Sequence, residues 1–173
     1  MKTIKIKLFS FEELSQEAKD KARENFNMDN DYPFLEDDLR EYIHEEIEEA
    51  GYKVLGVATS ANPSIVPYYS LSYSQGDGLM FEASVEDKKG NVYTIKHSGF
   101  YSHERSTSIT GTDQEGNEID TDDFEENIYI PICRRVAEKG YDILDYQGSE
   151  ENFGEICEAN DYTFEADGTM RNE

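Results

Sequence analysis

Basic residues, cysteine and apolar runs are all scarce in this chain, and each scarcity removes a class of function. Lysine and arginine number 16 against 39 aspartates and glutamates, giving a formal net charge of −23 over 173 residues. A surface of that sign repels DNA, RNA and anionic membranes, so direct binding of bare nucleic acid is not expected. It attracts proteins with basic grooves, of which nucleic-acid-binding proteins are the commonest. Acidity that serves only solubility or a salt-rich environment is the plain alternative. The two cysteines, Cys133 and Cys157, have neither CxxC spacing nor a nearby histidine. They read as reduced, buried thiols, with no disulfide or metal role. No apolar run approaches the length of a membrane span, and the opening MKTIKIKLFSF lacks the core and cleavage site of a signal peptide. A cytoplasmic location is therefore expected, in a bacterial host cell if the resemblance given below holds. HExxH, GxSxG and paired Cys/His sets are also missing, so no catalytic residue, metal or cofactor is put forward.

What the chain does contain is large aromatic side chains. The hydrophobic share is only 36%, but 12 Tyr and 9 Phe can fill a core, which a disordered chain would not offer. The length suits one acidic domain over residues 1–173. Residues 2–8 alternate lysine with Ile4, Ile6 and Leu8, the pattern of a half-buried strand. Ser15 is a good N-cap for a helix carrying Leu14, Ala18, Ala22 and Phe26 on its apolar stripe and ending near Asn27. Past Pro33 a second helix is expected over about 34–50, with Leu35, Leu39, Ile43 and Ile47 recurring every four residues and Gly51 ending it. Strands are expected at 52–59, 68–74, 79–86 and 91–97, with another near 105–111. Lys88-Lys89-Gly90-Asn91 forms a hairpin turn and 113–117 a second turn. Helices follow at about 121–140, with a bend expected at Pro131, and at 149–160, before a strand at 162–167 and a turn at Gly168. The fold class is α+β: an antiparallel sheet of about five to six strands packed against helices from the N- and C-terminal parts, its first and last strands adjacent.

Ser74-Gln75-Gly76-Asp77-Gly78 is the most distinctive local string. Two glycines around an Asp let the backbone turn sharply while the carboxylate bonds back to it. Functionally the loop could present Asp77 or its N–H groups to a partner; structurally it is a demanding hairpin connection. It lacks the Lys-Ser/Thr and helix of a phosphate loop. The acidic run 113–126 fails as an EF-hand, because counting back from Gly116 puts Gly111 where the first ligand should stand. It reads as an acidic loop leading into a helix. A small hydrolase or metal-dependent enzyme would have to use the 74–78 turn with His97 or His103, converging in one cleft. His44, among acids on the second helix, reads as solvated.

Acid runs at 36–49, 113–126 and 142–167 carry the functional signal. Carboxylates spaced regularly on helices imitate a row of phosphates and compete for a channel lined with Arg and Lys, with affinity that falls as salt rises. Few bases are interleaved, so i,i+4 Glu–Lys pairing is little used. The expected contact residues are Glu41, Glu45, Glu48 and Glu49, then Asp122, Asp123, Glu125 and Glu126.

Three stretches carry a resemblance: Phe9–Lys19 (FSFEELSQEAK), Ser74–Glu82 (SQGDGLMFE) and Glu158–Gly168 (EANDYTFEADG). In this order they resemble a widespread family of small phage and mobile-element proteins labelled antitoxins of a toxin–antitoxin stability system. The stretches bracket nearly the whole chain. Members of gut-bacterial and phage origin resemble type II anti-CRISPR proteins, inhibitors of an RNA-guided DNA nuclease. The resemblance implies a phage-encoded inhibitor that blocks DNA binding or cleavage by occupying a basic groove of a CRISPR effector. An antitoxin neutralising a basic RNase-type toxin is the alternative. The resemblance supplies no catalytic residue.

Overall fold

The computed structural model describes residues 6–26, 32–56 and 64–171. They fall into two compact units, one from the chain ends (to Tyr32 and from Ile143) and one from the middle, Pro33–Asp142.

The middle unit is built on an antiparallel sheet of six strands: β1 (Lys53–Val54), β2 (Ile65–Ser70), β3 (Gly78–Glu86), β4 (Val92–His97), β5 (Thr107–Thr112) and β6 (Glu118–Ile119). Both β1 and β2 pair with the long strand β3, and a meander then runs through β4 and β5 to β6. Alternation puts Leu79, Phe81, Ala83 and Val85 of β3, with Tyr93 and Ile95 of β4, into the core. Glu82, Ser84, Thr94 and Lys96, on the other face, stay partly or fully exposed. Two hairpin turns share one construction. Asp87 accepts from the N–H groups of Lys89 (2.7 Å) and Asn91 (2.9 Å), and Asp113 likewise from Glu115 (2.9 Å) and Asn117 (2.8 Å). Gly90 and Gly116 stand at φ +80° and +85°, the left-handed position such a turn requires.

Helix α2 (Leu35–Glu49) lays Leu35, Leu39, Ile43 and Ile47 on the core, each worth roughly 2 kcal/mol on burial. A long helical run follows β6: α3 (Asp122–Phe124), a π-turn (Glu125–Tyr129) and α4 (Ile130–Gln147), whose residues from Ile143 group with the chain-end unit. The π-turn answers Pro131. Proline has no N–H and its ring crowds the carbonyl four residues back, so the backbone widens and Ile130 N–H reaches Glu125 O instead. The ring of Phe124 stacks on Tyr93 (4.2 Å between centroids), Tyr129 packs on Phe81 (4.9 Å), and its hydroxyl accepts from Phe81 N (3.3 Å). Gly140 permits a close approach to α2, since a Cβ there would lie 3.1 Å from Leu39. Glu46 of α2 also pairs with Arg135 and Lys139 of α4.

The chain-end unit has a 3₁₀ turn (Phe11–Glu13), α1 (Gln16–Phe26), α5 (Glu150–Ala159) and a two-stranded sheet of β7 (Thr163–Phe164) and β8 (Met170–Arg171). Phe11, Leu14, Ala18, Ala22, Phe153, Cys157 and Phe164 form its core. Ser15 caps α1 through Ala18 N (3.3 Å), and Ser149 caps α5 through Asn152 N (3.1 Å).

The α+β class and the antiparallel sheet are as the sequence led us to expect. Residues 6–8 are not a strand, however. Only Phe9 pairs, exchanging two hydrogen bonds of 2.9 Å with Phe164, so the first and last segments meet outside the large sheet. Residues 2–5, Asn27 and 57–59 of the expected elements lie outside the described residues. Strand β2 begins three residues before the expected 68, since Pro67 is tolerated on a strand that, among the described residues, pairs only with β3. The last long helix runs seven residues past 140, and β6 and β8 were not anticipated.

Candidate partner-binding surfaces

Helix α2 divides its acids by geometry. Glu36 and Asp37 close on Arg40, at 2.6 and 2.5 Å. Glu46 turns inward, is buried, and holds Arg135 (2.7 Å) and Lys139 (3.4 Å), the latter also lying over the Tyr42 ring. Glu41, Glu45, Glu48 and Glu49 share the arc opposite the buried stripe and are all exposed. At 1.5 Å per residue the four span about 12 Å of helix. Among the described residues none of them pairs with Lys or Arg; Glu48 has only His44, 3.9 Å away. Arg40, Arg135 and Lys139, the cations that pair with this helix, are taken by Glu36, Asp37 and Glu46.

The second predicted group is more occupied. Asp122 and Asp123 are exposed in the first turn of α3, where the helix dipole favours them. Asp123 accepts from Asn127 (2.7 Å), Glu125 is half-buried, and Glu126 binds Arg105 (2.7 Å). The Arg105 guanidinium holds the Glu126 carboxyl below the usual carboxylate range. Upstream, Asp113 is held low by its bonds from Asn117, as befits an acid that builds its own turn.

Asp77 proves to be a turn-builder as well. It accepts from the hydroxyls of Ser70 (2.8 Å), Ser72 (3.2 Å) and Ser74 (2.8 Å), from the N–H groups of Ser72 (2.5 Å) and Ser74 (3.0 Å), and from Tyr141 Oη (3.0 Å). Desolvation pushes this carboxyl up, but the bonds from Ser74, Ser70 and Ser72 outweigh it and keep it far below its ordinary value. Both oxygens are occupied by donors of the turn and by Tyr141, so Asp77 is not offered to a ligand. Gln75 and Gly76 are exposed at the tip, Ser74 and Gly78 flank them, and Tyr73 stands at φ +57° with its ring stacked on Tyr141 (4.4 Å).

The two histidines do not join Asp77. His97 stacks on Tyr68 (4.8 Å) and its Nε2 lies 3.1 Å from Tyr101 O. His103 accepts from Arg105 N at Nδ1 (3.2 Å), which leaves Nε2 to donate to Glu104 (3.2 Å). Glu104 is buried and also holds Arg134 (3.0 Å). A cleft of about 530 Å³ does lie here, lined by Gln75, Gly76, Tyr101, His103, Arg105 and Ser106. It contains no nucleophile aligned on a base.

Sequence reasoning passed over the side chains around this cleft. Phe100 is 100% exposed, Tyr101 67% and Tyr73 69%. The signal was legible: the segment Ser98–Ser106 places two adjacent aromatics among serine and glycine, which gives them nothing to fold onto. Both cysteines are buried free thiols; burial raises Cys133 and pushes Cys157 up to about 11. No helix among the described residues is long and apolar enough to cross a membrane. The family models, the curated proteins and the solved structures contain no match to this chain.

Proposed function

We propose that this protein acts stoichiometrically, by docking on the basic nucleic-acid groove of a partner protein, with a type II CRISPR effector nuclease as the first candidate. It works in the cytoplasm of a bacterial host cell as a phage-encoded inhibitor, and blocks DNA loading or cleavage without turnover. The observation that supports this reading is the ridge of Glu41, Glu45, Glu48 and Glu49, four exposed carboxylates on one helix face with no Lys or Arg partner among the described residues. Like-charged groups about 6 Å apart on a rigid helix repel one another, and a groove of Arg and Lys relieves that repulsion. Asp122 and Asp123 extend the acidic surface at the start of the second helical run.

The test is a titration of DNA cleavage by the guide-loaded nuclease with the purified protein. Cleavage is lost near molar equivalence and returns as salt is raised. The Glu41→Lys, Glu45→Lys, Glu48→Lys, Glu49→Lys variant keeps its fold and loses inhibition. Full cleavage at large excess of wild-type protein removes this nuclease as the target and turns the search to a basic RNase-type toxin.

A further inference from the structure

The loops 71–77 and 98–106 connect β2 to β3 and β4 to β5. The register places both at one end of the sheet, since Ser70 pairs with Gly78 and His97 with Thr107. They touch: a Cβ on Gly76 would sit 3.8 Å from the Tyr101 ring, and one on Gly78 would sit 3.1 Å from His103. Their sequences, LSYSQGD and SGFYSHERS, are mostly serine, glycine and aromatic residues. That composition suits recognition loops, where aromatic rings give large contact area at low entropic cost and the small polar residues adapt around them.

Both loops are held in place from below. Asp77 gathers the first through its serine and Tyr141 bonds. The second is tied by Ser98 N to Ser106 O (2.8 Å), Ser106 N to His103 O (2.7 Å), and the buried Glu104 on Arg134. A pre-organised loop loses little freedom on binding, so its contacts translate into affinity. Phe100 at the tip is fully exposed. Water contact over a whole phenyl ring is unfavourable, and aromatic anchors of this kind dominate the energetics of protein interfaces.

The local charge identifies the occupant. Arg105 is paired with Glu126 and Arg134 with Glu104, so the patch is close to neutral within a molecule of net charge −23. The surrounding acidity repels a second copy of this chain, nucleic acid and anionic lipid alike. A basic protein is the macromolecule that this surrounding charge attracts to the patch. We infer that the two loops form an apolar docking surface, with Phe100 as its anchor, that seats in an uncharged pocket of the same basic partner; this rests on the reading above. The acidic ridge then governs the rate of encounter, and the aromatic loops govern how long the complex lasts.

Binding kinetics on the immobilised, guide-loaded type II nuclease test this. Phe100→Ala and Tyr101→Ala each raise the dissociation rate, Phe100→Ala by about 30-fold or more, while the association rate and its salt dependence stay within about twofold. Phe100→Leu retains most of the residence time. Circular dichroism melts of all three match wild type, because neither ring lies in the core. Unchanged dissociation for both alanine variants, with wild type bound, overturns this inference and leaves the basic-partner reading standing. Absence of wild-type binding removes this nuclease as the partner and overturns the inference with it. A tyrosine-fluorescence response to oligo(dT) that is lost in Tyr101→Ala overturns the inference too, assigning the loops to base stacking.

Discussion

The acid runs 36–49 and 113–126 look alike in sequence and behave differently in space. On helix α2 the backbone satisfies its own hydrogen bonds, so an outward Glu has no N–H group within reach and stays available. In the turn at 113–117, Asp113 takes the backbone of Glu115 and Asn117 and is used up by the fold. Asp87 and Asp77 show the same behaviour. Availability of a carboxylate thus depends on whether the local backbone has unsatisfied donors, and helix interiors have none. Glu46 and Glu126 mark the second way an acid is removed from the surface, by an Arg supplied from a distant element.

The sharpest way to break this comparison is within α2. Glu46→Lys puts a third cation beside Arg135 and Lys139 in a buried position, and should destabilise the fold by about 3 kcal/mol in urea unfolding. Glu45→Lys, one residue away and exposed, should stay within about 0.5 kcal/mol. Equal effects would mean that the ridge is structural. Next comes binding. Reversing Glu41, Glu45, Glu48 and Glu49 together should weaken partner affinity roughly 100-fold at low salt and flatten its salt dependence, whereas reversing Asp122 and Asp123 should cost only several-fold. A larger loss from the second pair would move the docking face to the start of α3.

A smaller effect is expected at the turn. Asp113→Ala removes the acceptor for Glu115 and Asn117, so amide exchange at those two positions should quicken while partner affinity holds. Acid sharpens the same point with a definite sign. Asp113 has its folded pKa lowered from 3.8 by the bonds from Asn117, so its stabilising contribution is fully present above about pH 4. It is lost as pH falls below 3.8 and through the folded value. The stability gap between wild type and Asp113→Asn should therefore be constant from pH 7 to about 5 and shrink below about 4, read by thermal melts.

Much of the fold was legible because its signals are local. The four-residue spacing of Leu35, Leu39, Ile43 and Ile47 specifies one apolar helix face, and it does face the core. Alternation across 79–86 and 91–97 gave strands to within a residue at most ends. Lys88-Lys89-Gly90-Asn91 gave the turn between them. Short strands were harder. Two-residue pairs such as β6 and β8 have no period to read, and exist because a neighbouring strand offers them hydrogen bonds.

The candidate surfaces divide the same way. Sequence alone determined that acids dominate, that α2 carries a charged face opposite an apolar one, and that 74–78 must turn sharply. Charge and periodicity are properties of the chain itself. Only the tertiary structure decided which acids remain available, because the partners of Glu46 and Glu126 stand 89 and 21 residues away along the chain. It also decided that Asp77 is used up by its own turn and that Phe100 and Tyr101 stand exposed at the end of the sheet. Whether a side chain is satisfied depends on what the fold brings to it, and that is fixed only when distant segments pack together.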